Sequence, residues 1–289
     1  MSLIRVMRYG SVAFAAMAMV TLLAAPAAAQ DPAPSGPSLT VTGGLDVTNQ
    51  YNFRGIRQNT DGVSIWPYID FGIGAYTGEG ALKSVTVNLG TWNAFNSQID
   101  NFTNLDGETS SNKWYESDLY ATMGFGFSKG SLGFTYTSYT SPANFFTHVK
   151  ELSIKLAVDD SSVLGKGALK PYALLAFELG TDVAKGQADG GLKAGKYLEL
   201  GVAPGYAGAK ASLAVPIKVG LSIGDYYELA GEDQKFGFFS IAGVVTVPMG
   251  ANWNIHGGAE YQKLGDMTKA LFSGESNQGI ASIGLGFTY

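Results

Sequence analysis

Apolar and polar residues alternate with a period of two along most of this chain. In Leu39 to Thr48 the odd positions carry Leu39, Val41, Gly43, Leu45 and Val47, and the even ones Thr40, Thr42, Gly44, Asp46 and Thr48. The same pattern returns at Leu213, Val215, Ile217, Val219, Leu221 and Ile223, set against Ser212, Ala214, Lys218, Gly220 and Ser222. It closes the chain, with Ala281, Ile283, Leu285, Phe287 and Tyr289 on one face and Ser282, Gly284, Gly286 and Thr288 on the other. One greasy and one wet face over about ten residues is the pattern of a strand that crosses a bilayer. Read this way, the chain holds twelve strands, near 39–53, 63–76, 83–95, 114–127, 131–139, 149–158, 170–181, 196–205, 211–224, 236–248, 253–264 and 279–289.

The connections support a barrel. Tight turns such as Thr77-Gly-Glu-Gly80, Ser128-Lys-Gly130 and Met249-Gly-Ala-Asn252 alternate with longer polar stretches, the longest being Asn96 to Lys113. Short turns at one end and longer loops at the other are the habit of an antiparallel up-and-down transmembrane β-barrel with both termini on the short-turn side. Twelve strands fit best, with ten or fourteen as alternatives. A soluble β-sandwich also alternates, but an apolar face this rich in Leu, Val and Ile suits lipid, and in hydrocarbon every backbone group must be paired, which requires closure. Trp66, Trp92, Trp114 and Trp253, with Tyr51, Tyr139, Tyr227 and Tyr261, fall near strand ends and read as interfacial girdles. Two features resist the pattern. Pro67, Pro171, Pro204 and above all Pro216 remove ladder donors, so Pro216 predicts a bulge or a displaced strand boundary. The sixth connection, Asp159 to Leu169, is longer than a short turn and has no explanation in the sequence.

Composition sharpens the picture. Charged residues are 15% of the chain, against a usual ~25%, and there are 39 Gly and no Cys. A chain so rich in Gly is no helical protein, and the missing thiols exclude disulfide and zinc–thiolate chemistry. The net charge of −5 leaves no general basic surface for nucleic acid. Arg5 and Arg8, the apolar run Val12 to Ala25 and the small residues Ala27-Ala28-Ala29 read as a cleavable signal peptide over residues 1–29. Residues 30–38, with three prolines, read as a flexible periplasmic leader, and 39–289 as one barrel domain. Beyond the signal no window is apolar enough for a spanning helix.

The stretch Tyr51-Asn-Phe-Arg-Gly-Ile-Arg-Gln58 at the end of the first strand resembles the Tyr-x-Phe-Arg-Gly-Ile/Val-x-Gln motif of the TorF-type porin family of Gram-negative bacteria, through Tyr51, Phe53, Arg54, Gly55, Ile56 and Gln58. The remainder is similar in length and pattern more than in residues. Arg57 replaces the small polar residue usual after the Ile. The resemblance implies an outer-membrane barrel with a channel role. Phe287 and Tyr289 likewise resemble the C-terminal signal by which barrel-assembly machinery accepts its substrates.

For a channel the informative residues are inward charges. Alternation turns Asp46, Asp70, Glu116, Asp118, Glu151, Glu178, Glu199 and Glu260 away from lipid, together with Lys155 and Lys218. A water-filled lumen of this sign would prefer cations. The competing reading pairs these carboxylates with Lys155, Lys218, Arg54 and inward tyrosines to pack the interior shut. Twelve strands lie between barrels filled by side chains and barrels that leave a channel, and the narrow pore for small hydrophilic solutes is the expectation.

Arg54 and Arg57 flank Gly55 at the extracellular rim. They offer a basic spot for lipopolysaccharide phosphates or anionic solutes, or a solvated turn with Gly55 at positive φ. Asp100, Asn104, Asp106 and Glu108 could hold Ca²⁺ but lack EF-hand spacing and read better as a solvated loop. A lipid hydrolase would need one of the two histidines, His148 or inward-facing His256, beside a nucleophilic Ser and an orienting third group. No Gly-x-Ser-x-Gly elbow is present, so no enzyme activity and no cofactor are expected. A closed structural or adhesive barrel acting through its loops remains the alternative. Expected partners are outer-membrane lipids, lipopolysaccharide and the assembly machinery.

Overall fold

A computed structural model describes residues 38–59, 61–180, 191 and 193–289. The signal peptide and all but the last residue of the leader fall outside these. Twelve antiparallel strands close into a barrel. They are β1 (Leu39–Thr48), β2 (Ser64–Thr77), β3 (Leu82–Asn96), β4 (Trp114–Phe127), β5 (Gly130–Thr140) and β6 (Val149–Val158), then β7 (Tyr172–Glu178), β8 (Lys196–Val202, continued by Gly205–Ala207), β9 (Ser212–Ala214 and Ile217–Gly224), β10 (Phe236–Met249), β11 (Trp253–Leu264) and β12 (Asn277–Thr288). The barrel closes by pairing β1 with β12 from Thr42↔Thr288 to Thr48↔Ser282. Val41 N–H donates to the Tyr289 carbonyl at 2.8 Å, and Tyr289 N–H returns the bond at 2.9 Å. No open edge is left to template aggregation or to sit unsatisfied in lipid.

The prolines perturb the ladder without shifting it. Pro204 and Pro216 interrupt β8 and β9, yet Val202↔Ile217 and Gly205↔Ala214 keep one register across the gap. Their carbonyls stay in use, Pro204 accepting from Val215 N–H at 2.8 Å and Pro216 from Ala242 N–H at 2.9 Å. Only the missing donors are lost. The sixth connection proves to be a small structured cap: a helical turn Ser161–Leu164 runs into a 3₁₀ turn Gly165–Gly167. The Asp160 carboxylate ties it to the next strand by accepting the Leu169 and Lys170 N–H groups at 3.0 and 2.9 Å.

Outward positions form an aliphatic belt in which Leu45, Leu89, Leu119, Leu156 and Ile283 are each more than 40% exposed. A continuous apolar surface of this kind marks a membrane-facing wall. The buried core lies inside the barrel, at the end where the long loops emerge. Tyr51, Tyr197, Tyr226, Tyr227, Phe238 and Ile56 are fully buried there. Five of the predicted girdle aromatics therefore require correction: Trp66, Trp92, Tyr51, Tyr139 and Tyr227 point into the lumen. Cross-strand pairs place Trp66 beside Asp46 and Trp92 beside Asp118, in the inward register. Trp114, Trp253 and Tyr261 remain outward, each about two-fifths exposed. Strand ends of both faces carry aromatics, and nearness to an end does not say which face a ring is on.

Candidate functional site in the barrel lumen

The first strand is shorter than the sequence pattern indicates. It ends at Thr48, and the chain then turns inward as a hairpin, Asn52–Phe53 paired with Ile56–Arg57. The two turn residues, Arg54 (φ 48°) and Gly55 (φ 79°), both lie in the left-handed region, as a two-residue hairpin turn of the I′ kind demands. A side chain on Gly55 would also press on Phe238, whose Cβ is 3.0 Å from where a Cβ would stand. The base of the excursion is fixed by Tyr51 N–H to Asn59 Oδ1 at 2.7 Å and Gln58 N–H to the Tyr51 carbonyl at 2.8 Å.

This hairpin is a plug. Tyr51 lies 5.2 Å from Trp66 and 5.5 Å from Trp92, ring centre to ring centre, and donates its hydroxyl to Glu116 Oε2 at 2.8 Å. Tyr115 donates to Gln58 Oε1 at 2.9 Å, stacks on Phe145 and meets the tilted ring of Phe146, both in the loop between β5 and β6. From the β9–β10 loop, Tyr226 and Tyr227 close the other side, and Tyr227 donates to the Arg54 carbonyl at 2.9 Å. Met267 and Phe272 of the β11–β12 loop complete the packing. Each buried aromatic removes roughly 150–250 Å² from water, which is what drives polar-looking loops into the mouth.

Arg54 is the centre of the plug, not a rim residue. Its guanidinium grips Glu151 with Nη1 at 2.7 Å and Nη2 at 2.9 Å, donates to the Tyr226 hydroxyl at 2.7 Å, and lies 4.2 Å from the centre of the Tyr197 ring. Burial alone would weaken its hold on its proton. The Glu151 charge and the hydrogen bond to Glu151 outweigh that, and the Arg54 group stays above its ordinary range and charged. Burial raises the Tyr226 phenol, so it stays neutral although Arg54 pulls the other way. A two-pronged guanidinium suits this seat better than an ammonium would. Arg57 is also drawn in: it donates to the Asn59 carbonyl at 2.8 Å and covers the Phe272 ring at 4.9 Å.

All ten predicted lumen charges fall on the inward register of their strands, but they do not form one lining. Glu116, Asp118, Glu151 and Glu178 are buried under the plug. Asp46 meets His256 Nε2 at 2.6 Å, and Glu178 accepts the Gly195 N–H at 2.6 Å. Further toward the short-turn end, Asp70 accepts from Asn88 at 2.6 Å, and Glu199 from Tyr172 and Tyr197 at 2.8 and 2.7 Å. Glu260 accepts from Gln262 at 3.0 Å. Lys155 and Lys218 lie over the Tyr172 and Phe238 rings at 4.7 and 5.5 Å. These five charges, Asp70, Glu199, Glu260, Lys155 and Lys218, are only part-buried. The count of eight acids against two bases omits Arg54, which alternation could not assign because it lies on a hairpin. Aromatics of the loops were missed for the same reason, although the doublets Phe145-Phe146 and Tyr226-Tyr227 are an unusual density of rings for solvated loops.

The other candidates disperse. Asn104 Oδ1 caps the N–H groups of Asp106 and Glu108, Asp100 accepts from Ser111, and Asp106 takes Asn144. These oxygens serve their own turns. His256 is held by Asp46 and Asn254, with no serine at its ring nitrogens among the described residues. The Ser–His contact among the described residues is Ser138 to His148 Nε2, 2.7 Å, on the exposed outer face, with no third group hydrogen-bonded to the ring among those residues. Phe287 and Tyr289 sit at the short-turn end against Trp253, whose Nε1–H donates to the Tyr289 hydroxyl at 3.1 Å.

No family model and no curated protein matches this sequence. Solved structures do. An outer membrane channel from Pseudomonas putida F1 is similar with a TM-score of 0.51 at 10% identity, covering 90% of this chain and 100% of that one. The fold is that of an outer-membrane β-barrel. The NanC porin (TM-score 0.45, 12% identity, 87% and 99% covered) and the calcium-bound dimer of Salmonella typhi outer membrane phospholipase (0.46, 11%, 89% and 94%) are more distant in shape.

Proposed function

We propose that the chain is a channel of the bacterial outer membrane that passes small hydrophilic solutes or ions passively, and that loop 1, the connection between β1 and β2 that carries the Asn52–Arg57 hairpin, is its gate. The observation that carries this reading is the division of the lumen. Its short-turn half is lined by part-buried polar and charged groups, Asp70, Lys155, Glu199 and Lys218 among them, and its outer mouth is shut by a hairpin. That hairpin is held by non-covalent contacts, chiefly those of Arg54 and Tyr51. A barrel that served only as a scaffold would have no need of a lumen half lined with part-buried charges. Short turns then face the periplasm and long loops the exterior, Phe287 and Tyr289 serve as the assembly signal, and the TorF-type porins are the family proposed. Acidic groups of the part-buried lumen give a weak cation preference.

Recording from the refolded barrel in planar bilayers tests this. A variant lacking Asn52 to Arg57 should conduct steadily, and the full chain intermittently. A hairpin-deleted barrel that folds and passes no current would overturn the channel reading and favour the alternative, a closed structural or adhesive barrel, which the packed aromatic mouth by itself would also suit.

A further inference from the structure

We propose that Glu116 and Asp118 form a proton-binding site that keeps the loop-1 plug seated, and that loss of its single proton opens the channel. The inference rests on the channel reading above. The two residues stand two apart on the inward face of β4, are 0% and 1% exposed, and lie within reach of each other on that face. Of their four oxygens, Glu116 Oε1 and both Asp118 oxygens have no donor among the described residues. The fourth, Glu116 Oε2, accepts the hydroxyl of Tyr51, the residue at the base of the plug.

Two carboxylates in contact, away from water and with no donor between them, cannot both be ionised. One proton turns the contact into a donor–acceptor pair and gives two of the three orphaned oxygens a partner. The surroundings offer no substitute. Facing strands place Trp92 and Tyr139 opposite Asp118, and Ala94 opposite Glu116. Tyr115 adjoins on β4, Glu151 acts on Asp118 from β6, and Tyr51 and Arg54 come from loop 1. The cation in this set, Arg54, is already clamped on Glu151. The phenols are neutral donors, and Glu151 adds a further negative charge. A metal ion would need more ligands than these two carboxyls, and no group of three or more such ligands is present among the described residues.

The direction follows from linkage. With the plug seated, the pair keeps one proton. With the plug withdrawn, water reaches both carboxyls, which then ionise at neutral pH, as exposed ones with ordinary values near ~4 do. The closed state therefore binds one proton more than the open state. The ratio of open to closed rises with pH, by up to about tenfold per unit for one proton. The released proton passes to water and leaves two carboxylates facing a hydrated lumen.

Bilayer recordings of the full chain from about pH 5 to about pH 10 in potassium chloride test the site. Open probability should rise with a one-proton slope. Asp118→Asn, whose amide can donate to Glu116 at every pH, should stay closed and lose the slope; tryptophan fluorescence of Trp66 and Trp92 reports that its plug is seated. A flat response of the full chain, with the hairpin-deleted barrel conducting, overturns the proton site and leaves the channel standing. A slope retained in Asp118→Asn also overturns it. If neither barrel conducts, the channel reading fails, and the pH dependence of protease access to loop 1 decides the proton site alone. Exchange of potassium for choline at fixed pH should change nothing; a shift in opening would show a metal cation in the proton's place and overturn the proposal.

Discussion

Arg54 closes on both oxygens of Glu151, at 2.7 and 2.9 Å, and thereby joins a hairpin between the first two strands to the sixth strand across the lumen. The pair is nearly dry, with side chains 10% and 4% exposed. A bidentate ion pair of this kind contributes little net stability compared with an apolar pair, but breaking it strands a buried charge.

Arg54→Ala should therefore unseat the plug. The cost of leaving Glu151 without its partner is about 3–5 kcal/mol, enough to convert a mostly closed barrel to a mostly open one. Conductance of Arg54→Ala should approach that of the hairpin deletion. Arg54→Lys should be intermediate, since one ammonium cannot span both oxygens. Equal closure of all three forms would show that the aromatic packing alone holds the mouth.

Gly55→Ala tests the turn. The residue sits at φ 79°, and an added Cβ would be 3.0 Å from Phe238 Cβ. The left-handed conformation costs a residue with a Cβ roughly 1–2 kcal/mol. Protease cleavage in loop 1 should quicken about tenfold or more, while the urea midpoint of the whole barrel changes little. A barrel midpoint lowered in step with cleavage would mean the hairpin is integral to the fold instead of a detachable gate.

Gly265 begins the short helix Asp266–Ala270 that docks Met267 into the mouth. A Cβ there would collide with the Phe236 carbonyl oxygen, and the Gly265 N–H is bonded to the Gly237 carbonyl at 2.7 Å. Gly265→Ala should cost about 1–3 kcal/mol by overpacking. Hydrogen exchange should show the loss as faster exchange at Lys269, whose N–H is bonded to the Gly265 carbonyl, with β1–β4 unaffected.

The cap between β6 and β7 carries a pH dependence of its own. The Lys170 N–H, helped by the Leu169 N–H, holds the exposed Asp160 carboxyl below its ordinary range against an opposing effect of desolvation. A carboxyl depressed in the folded state contributes its stability above the ordinary value near ~4 and loses it as pH falls through the depressed one. Amide exchange at Leu169 and Lys170, corrected for the intrinsic rate, should accelerate below about pH 4 in the native chain and be fast at every pH in Asp160→Ala. Equal protection in both forms would show that the cap does not depend on this carboxylate.

Much of the wall was legible in the residues. Leu39 to Thr48 and Ala281 to Tyr289 alternate because lipid and lumen demand opposite chemistry from successive positions, so a period of two survives in any sequence that builds such a wall. Inward placement of Glu116, Glu151 or Lys218 follows from that period alone. Even Pro216, which breaks its strand, left the register intact, as the loss of one donor should.

The interior of the mouth was not legible, because nothing local reports it. Trp66 and Trp114 both lie at strand ends, and only the pairing of β2 with β1 and of β3 with β4 turns the first into the lumen and leaves the second outside. Arg54 reads as a solvated rim residue until Glu151, Tyr197 and Tyr226, each more than ninety residues away, are seen around it. By itself the sequence determined a twelve-stranded wall with a greasy outside and an acidic inside, since those depend on neighbours one and two positions apart. Tertiary structure decided that the long-loop end is plugged and that Glu116 and Asp118 are buried together, since both depend on loops that gain stability only by packing against rings brought from distant strands.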